Sequence, residues 1–190
     1  AIQLAEDFAA RSSVLPTQLT QLTDDPSLAV RFQLAFSLGA IDRTKRIRAL
    51  TKLAKRDGDQ PYVRAAIQSS LSSGAGAAVV QLAQAPQWCR KPSSMALIRS
   101  LLAQIARQQD LADVQQLSQL LTELQDDNAW LTGMILTNLN PRPNSKLAET
   151  MQTSIWSTVR EQVLANARKV ALDANETTAT RAQAIDAFRL

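Results

Sequence analysis

Apolar residues recur along this chain at intervals of three and four. Val30, Leu34 and Leu38 fall at i, i+4 and i+8, joined by Phe36. Ile47, Leu50, Leu53 and Ala54 form a second set, and Val63, Ile67 and Leu71 a third. Leu97, Leu101 and Ile105 follow, then Val114, Leu117, Leu120, Leu121 and Leu124, then Leu131, Ile135 and Leu139. Such spacing gathers apolar side chains on one stripe of an α-helix and would scatter them over both faces of a strand. A last set, Ile155, Val159, Val163, Leu164 and Val170, predicts one unusually long helix over residues 145–174, or two helices with a break between them.

Loop signals separate these sets. Asp24, Asp25 and Pro26 open a helix that ends at Leu38 and Gly39, with Gly39 expected at the left-handed position that closes many helices. Asp57, Gly58, Asp59, Gln60 and Pro61 mark the next break, and residues 72–76 (Ser-Ser-Gly-Ala-Gly) another. Pro86, Pro92, Pro141 and Pro143 mark further loops. Most connections are short, which makes successive helices antiparallel neighbours.

The chain also repeats itself. Residues 29–38 align without gaps on residues 62–71, an offset of 33 positions. Both copies carry Val-Arg near their start (Val30-Arg31 and Val63-Arg64), and both are preceded by aspartate and proline. A weaker copy covers residues 95–104 and a degenerate one residues 128–140. Proline suits a first helical turn, and aspartate favours the positive end of a helix. An arginine one turn later can reach an aspartate of its own or of the adjacent repeat. Asp25, Pro26 and Arg31, with Asp59, Pro61 and Arg64, are therefore the expected structural residues of the repeat.

This pattern resembles HEAT repeats, most sharply over residues 24–73. The resemblance implies an all-α fold, an α-α superhelix (a HEAT/ARM-like solenoid) of about four to five helix pairs. On that reading residues 1–190 form a single helical-repeat domain, with its clearest repeats at 24–56 and 57–89. Neither end reads as a polar cap, so the chain is expected to be a fragment of a larger protein. More narrowly, residues 22–39, with their Phe-Gln-Leu-Ala-Phe-Ser-Leu-Gly run at 32–39, resemble the helical region of planctomycete-type (PVC-type) haem-binding CxxCH proteins, also described as membrane-bound dehydrogenases. That resemblance implies an extracytoplasmic, periplasmic parent with a dehydrogenase-like part and a c-type cytochrome part. This chain has no CxxCH, so haem c would belong to another part of the parent, and no cofactor is expected in the fragment itself.

Composition narrows the chemistry. The sequence has no histidine, which excludes Ser-His-Asp and Cys-His catalysis, most zinc sites and a histidine-ligated haem. A single cysteine, Cys89, excludes an internal disulfide. No apolar run is long enough to span a bilayer, so no membrane insertion by this segment is expected. Arg90 and Lys91 flank Cys89 and could lower its pKa; without a histidine partner the plainer expectation is an inert thiol.

The net charge of +4 is mild, but the basic residues cluster. Seven of the fifteen residues from 42 to 56 are Lys or Arg. Lys45, Arg48, Lys52 and Lys55 follow i, i+3, i+7 and i+10 and so share one helix face, opposite Ile47, Leu50, Leu53 and Ala54. Such a stripe can dock on an anionic partner, or can simply be the solvated face of an amphipathic helix. No aromatic is interleaved with it, which weakens a single-strand nucleic-acid reading. A remote alternative is a HEAT-like DNA glycosylase, with Trp130 stacking on a base beside Asp126 or Asp127. Trp130 and Trp156 otherwise read as packing residues. The expectation is a non-catalytic scaffold for protein partners or neighbouring domains of its own chain, with nucleic-acid or other anionic-partner binding through residues 43–56 as the alternative.

Overall fold

A computed structural model of the chain describes residues 2, 8, 11–124, 129–139, 144–152 and 154–186, and all regular structure among them is helical. The chain divides into two compact units, Ala1–Leu101 and Leu102–Leu190.

The first unit holds α1 (Leu15–Gln21), α2 (Leu28–Ser37), α3 (Arg43–Asp57), α4 (Pro61–Ser70), α5 (Ala75–Ala83), the short α6 (Pro86–Cys89) and the start of α7 (Pro92–Gln108). Helix α2 packs on α4, while α3 packs on α1 and α5; α3 also touches its sequence neighbours α2 and α4. The even-numbered pair thus lies side by side, as do α1, α3 and α5. Leu34, Leu50, Leu53, Val63, Ile67 and Val79 are fully buried. The predicted sets at 47–54 and 63–71 are buried throughout. In the set at 30–38, Val30 is half-buried and Phe36 is exposed. Phe36 has a geometric reason. It lies two residues from Leu34, a rotation of about 200° around the helix, so it turns away from the core and stays 43% exposed. There it stacks edge-on with Phe32 (centroids 5.3 Å apart), which in turn meets Tyr62 of α4 at 5.1 Å.

The 33-residue period reappears in the hydrogen bonds. Arg31 Nη1 donates to the carbonyls of Asp25 (2.6 Å) and Pro26 (3.1 Å). Arg64 Nη1 donates to those of Gly58 (2.7 Å) and Asp59 (3.3 Å), the positions 33 residues on. Each arginine thus satisfies loop carbonyls that no helix can reach. The two then diverge. Arg31 also forks onto Asp57 at the end of α3, with Nε and Nη2 each 2.7 Å from a carboxylate oxygen and both side chains more than nine-tenths buried. That bond holds the Arg31 guanidinium above its usual pKa. The position 33 residues beyond Asp57 is Arg90, so Arg64 has no equivalent carboxylate to meet. Asp25 and Asp59 contribute backbone oxygen to the arginines; the Asp25 carboxylate accepts from the Ser27 N–H (2.7 Å), and that of Asp59 accepts from the Ser93 hydroxyl.

Other ties cross at nearly the same separation. Ser70 Oγ donates to Phe36 O (3.0 Å), Arg56 Nη1 to Thr23 O (3.2 Å) and Gln68 Nε2 to Ser100 O (3.4 Å). Arg46, counted among the basic run, is buried; it donates to Gly39 O, Ser73 O and Ser73 Oγ.

Two loop expectations change. Pro61 does open α4, but Pro26 precedes the Ser27 cap of α2 and lies outside the helix. Gly39 is not left-handed: α2 ends in a 3-10 turn over Leu38–Ala40, and a Cβ at Gly39 would sit 3.3 Å from Ser70 Oγ. Close approach of α4, not a positive φ, accounts for that glycine. The left-handed glycine is Gly74 (φ 89°), capping α5, where a Cβ would lie 2.8 Å from Ile47 Cδ1.

The second unit holds the rest of α7, α8 (Leu111–Glu123), α9 (Ala129–Asn138), α10 (Lys146–Met151), α11 (Ser154–Leu172) and α12 (Thr178–Asp186). Asp110 and Ser145 cap α8 and α10 with side-chain oxygens. Helix α11 packs on α8, α9 and α12. The stretch over 145–174 is two helices: α10 closes at Gln152, whose N–H reaches the carbonyls of both Ala148 and Glu149. Ile155, Val159, Val163, Leu164 and Val170 are only half-buried. Trp156 and Ala167, eleven residues or three turns apart, are buried, and Val159, Val163 and Val170 share their stripe at lesser depth.

Removing one partner of a buried ion pair leaves the other charge stranded, which typically costs about 3 kcal/mol or more. Arg31→Ala is therefore expected to lower the urea-unfolding free energy by roughly 3 kcal/mol, while Arg64→Ala, which loses only bonds to carbonyls from a half-buried position, costs about 1 kcal/mol. Equal losses in the two variants would refute the distinction.

Candidate binding groove

Helix α3 carries the basic stripe because Asp42 starts it and its apolar stripe is sunk in the core. The Asp42 carboxylate accepts the N–H groups of Thr44 (3.0 Å) and Lys45 (3.2 Å), and Lys55 and Arg56 lie at the helix end that favours cations. With Ile47, Leu50, Leu53 and Ala54 buried, Lys45, Arg48, Lys52 and Lys55 are left exposed.

All four line one groove of about 700 Å³ running over α1, α3 and α5. Its other polar lining comes from Thr17, Thr20 and Thr23 on the α1 side, Thr51 from α3, and Gln81 and Gln84 from the end of α5. These six were not singled out from the sequence. Their signal was there: Thr17, Thr20 and Thr23 repeat every three residues, as do Gln81 and Gln84, so each group presents one face of its helix.

The threonine protons are largely committed. Thr20 Oγ1 donates to Thr17 O and Thr23 Oγ1 to Thr20 O, both at 2.8 Å. Thr51 Oγ1 lies 3.0 Å from both Arg48 O and Gln81 Oε1. Thr23 and Thr51 are buried, so of these hydroxyls only that of half-buried Thr20 offers lone pairs outward.

The cations divide into two groups. Lys52 Nζ bonds Asp24 Oδ2 at 2.5 Å, and Arg56 stands 3.9 Å from the other Asp24 oxygen. The Lys52 bond holds the Asp24 carboxyl below its usual range, against a small opposing desolvation. Among the described residues, Lys45, Arg48 and Lys55 form no ion pair.

The remaining candidates are differently placed. Cys89 is buried at the end of α6 and not in an open loop, and its thiol donates to Leu82 O (3.1 Å). Burial pushes the thiol up from 9.0 to about 11, with only partial relief from Lys55; Arg90 and Lys91 do not produce a thiolate. Trp156 is 1% exposed and belongs to the core. Trp130 is half-buried and lines neither the basic groove nor the smaller depression beside α1; Asp126 and Asp127 lie outside the described residues. Among the described residues no cluster of His, Cys, Asp and Glu could hold a metal ion, and no helix is long and apolar enough to cross a membrane.

Comparison with known family models, curated proteins and solved structures finds no match to this chain.

Because the folded-state pKa of Cys89 lies above its ordinary value, its contribution to stability is complete below about pH 9 and is lost as pH rises through about 11. At pH 8 the buried thiol is therefore expected to label with Ellman's reagent at least about a hundredfold more slowly than in 6 M guanidinium. Comparable rates in the two conditions would show an open, activated cysteine.

Proposed function

We propose that this chain is a non-catalytic, HEAT-like helical-repeat scaffold that works by binding a partner, with the α1–α3–α5 groove as its working surface. One observation carries the reading: Lys45, Arg48 and Lys55 stand exposed along one groove with no carboxylate of the described residues bound to them, while neighbouring Arg31, Arg46 and Lys52 are engaged within the fold. Cations held in a concave surface raise the local potential and attract an anionic partner. The side-by-side packing of α2 with α4, and of α1, α3 and α5, supports a stacked-repeat reading in which each helix pair adds length to that surface. Within a larger chain of the kind implied by the narrower resemblance, the same surface would position a neighbouring domain.

The test is retention on a heparin column. Lys45→Gln/Arg48→Gln/Lys55→Gln is compared with Arg160→Gln/Arg168→Gln/Lys169→Gln, which removes the same charge from exposed positions of α11. The groove variant is expected to elute at clearly lower salt than the charge-matched control. Identical elution would mean that net charge alone drives retention and that the groove is not a binding surface.

A further inference from the structure

The groove's lining constrains which anion it takes. Along α3 the cations are set at intervals of three, four and three residues, so Lys45 and Lys55 stand roughly 15 Å apart along the axis at about 1.5 Å per residue. An extended peptide advances roughly 3.3 Å per residue and sends alternate side chains to one side. Three carboxylates on alternate residues thus span roughly 13 Å, and the flexible lysine and arginine arms absorb the remainder.

The walls discriminate further. Thr23 and Thr51 are buried and keep their hydroxyls on oxygens of the protein, whereas half-buried Thr20 turns its proton to Thr17 O and offers lone pairs to an incoming chain. Gln81 and Gln84 are exposed and offer both donor and acceptor. A peptide backbone brings an N–H and a C=O with nearly every residue and can use both. A phosphodiester backbone presents only acceptors, so it leaves the acceptor side of Thr20 and of the two glutamines unused. The groove also lacks any aromatic platform for bases.

Finally, a carboxylate already sits on the stripe. Asp24 occupies Lys52 from within the same unit, as an acidic side chain of a ligand would.

Resting on the reading of the groove as the binding surface, we propose that it holds an extended acidic segment of a partner protein, with alternate carboxylates on Lys45, Arg48 and Lys55, and that Asp24 competes with the segment for Lys52. The third carboxylate, roughly 13 Å along, falls between Lys52 and Lys55, so binding does not require the Lys52–Asp24 pair to break, but that carboxylate gains Lys52 only by displacing Asp24. The affinity is therefore set partly by the protein's own competitor.

The test uses fluorescein-labelled probes and anisotropy with the full chain at one ionic strength. The probes are an alternating Glu-Ser dodecapeptide, its Gln-Ser counterpart and a twelve-nucleotide oligothymidylate. The Glu-Ser peptide is expected to bind, the Gln-Ser peptide to bind at least tenfold more weakly, and the oligothymidylate more weakly than the Glu-Ser peptide. Arg48→Gln should lose tenfold or more. Asp24→Asn should tighten the Glu-Ser peptide severalfold, and adding Lys52→Gln should remove that gain. Tighter binding of oligothymidylate than of Glu-Ser peptide would overturn the peptide assignment while leaving an anion-binding groove in place. Failure of every probe, together with unchanged heparin retention of the groove variant, would overturn both. An Asp24→Asn affinity equal to or weaker than wild type would overturn the competitor role.

Discussion

Where the chain turns from one helix pair to the next, its loop carbonyls have no helical partner, and in the first unit arginine supplies one. Arg31 lies over its own loop and closes on Asp57 at the far end of α3, so one buried guanidinium joins the start of α2, the loop before it and the end of the following helix. Such a group must be matched closely, because an unpartnered charge at that depth would cost more than the hydrophobic contacts around it recover. The fork fixes where α3 ends relative to α2. With α3 packed on α1, α2, α4 and α5, Ile47, Leu50, Leu53 and Ala54 are sunk in the core and its basic face is left outward.

The distribution of charge follows from this. Arginines at the loops are consumed by the fold: Arg31 on Asp57, Arg46 on Gly39 and Ser73, Arg56 on Thr23, Arg64 on Gly58 and Asp59. Arginine suits these sites because its planar fork can satisfy several oxygens at once. Lys45, Arg48 and Lys55 project from the outward face and form no ion pair among the described residues. The same helix therefore carries two populations of cation, one structural and one available, separated by their rotation about its axis.

Much of this was legible in the sequence. The apolar period located α2, α3 and α4 and most of the buried residues within them, though it marked no set for α5, and the 33-residue offset located two arginines that perform the same task. The basic face could be drawn from spacing alone. What spacing could not show was depth and partnership. Arg46 differs from Arg48 by two positions in the same basic run, yet one is buried against Ser73 and the other is open. Phe36 is apolar but turns outward, because composition does not decide the face and rotation does. Gly39 and Gly74 both sit at breaks, yet one answers to a close approach and the other to a positive φ. In α11 the apolar set shares its stripe with Trp156 and Ala167, but packing decides the depth of each residue, and Val159, Val163 and Val170 stay half-buried. The groove's threonines and glutamines come from α1 and the turn after it, from α3 and from the end of α5, which only the fold brings together.

The account stands on one placement: the face of α3 bearing Lys45, Arg48 and Lys55, flanked by α1 and α5, is the surface a partner meets. Backbone amide shifts recorded by NMR while an acidic peptide is titrated into the ¹⁵N-labelled chain test it most directly. The account predicts perturbations concentrated at residues 45–55, at Thr17 and Thr20, and at Gln81 and Gln84, with the α2–α4 face around Phe36 and Tyr62 unmoved. Perturbations centred on Phe36 and Tyr62, or spread evenly over the basic surface of both units, would contradict it.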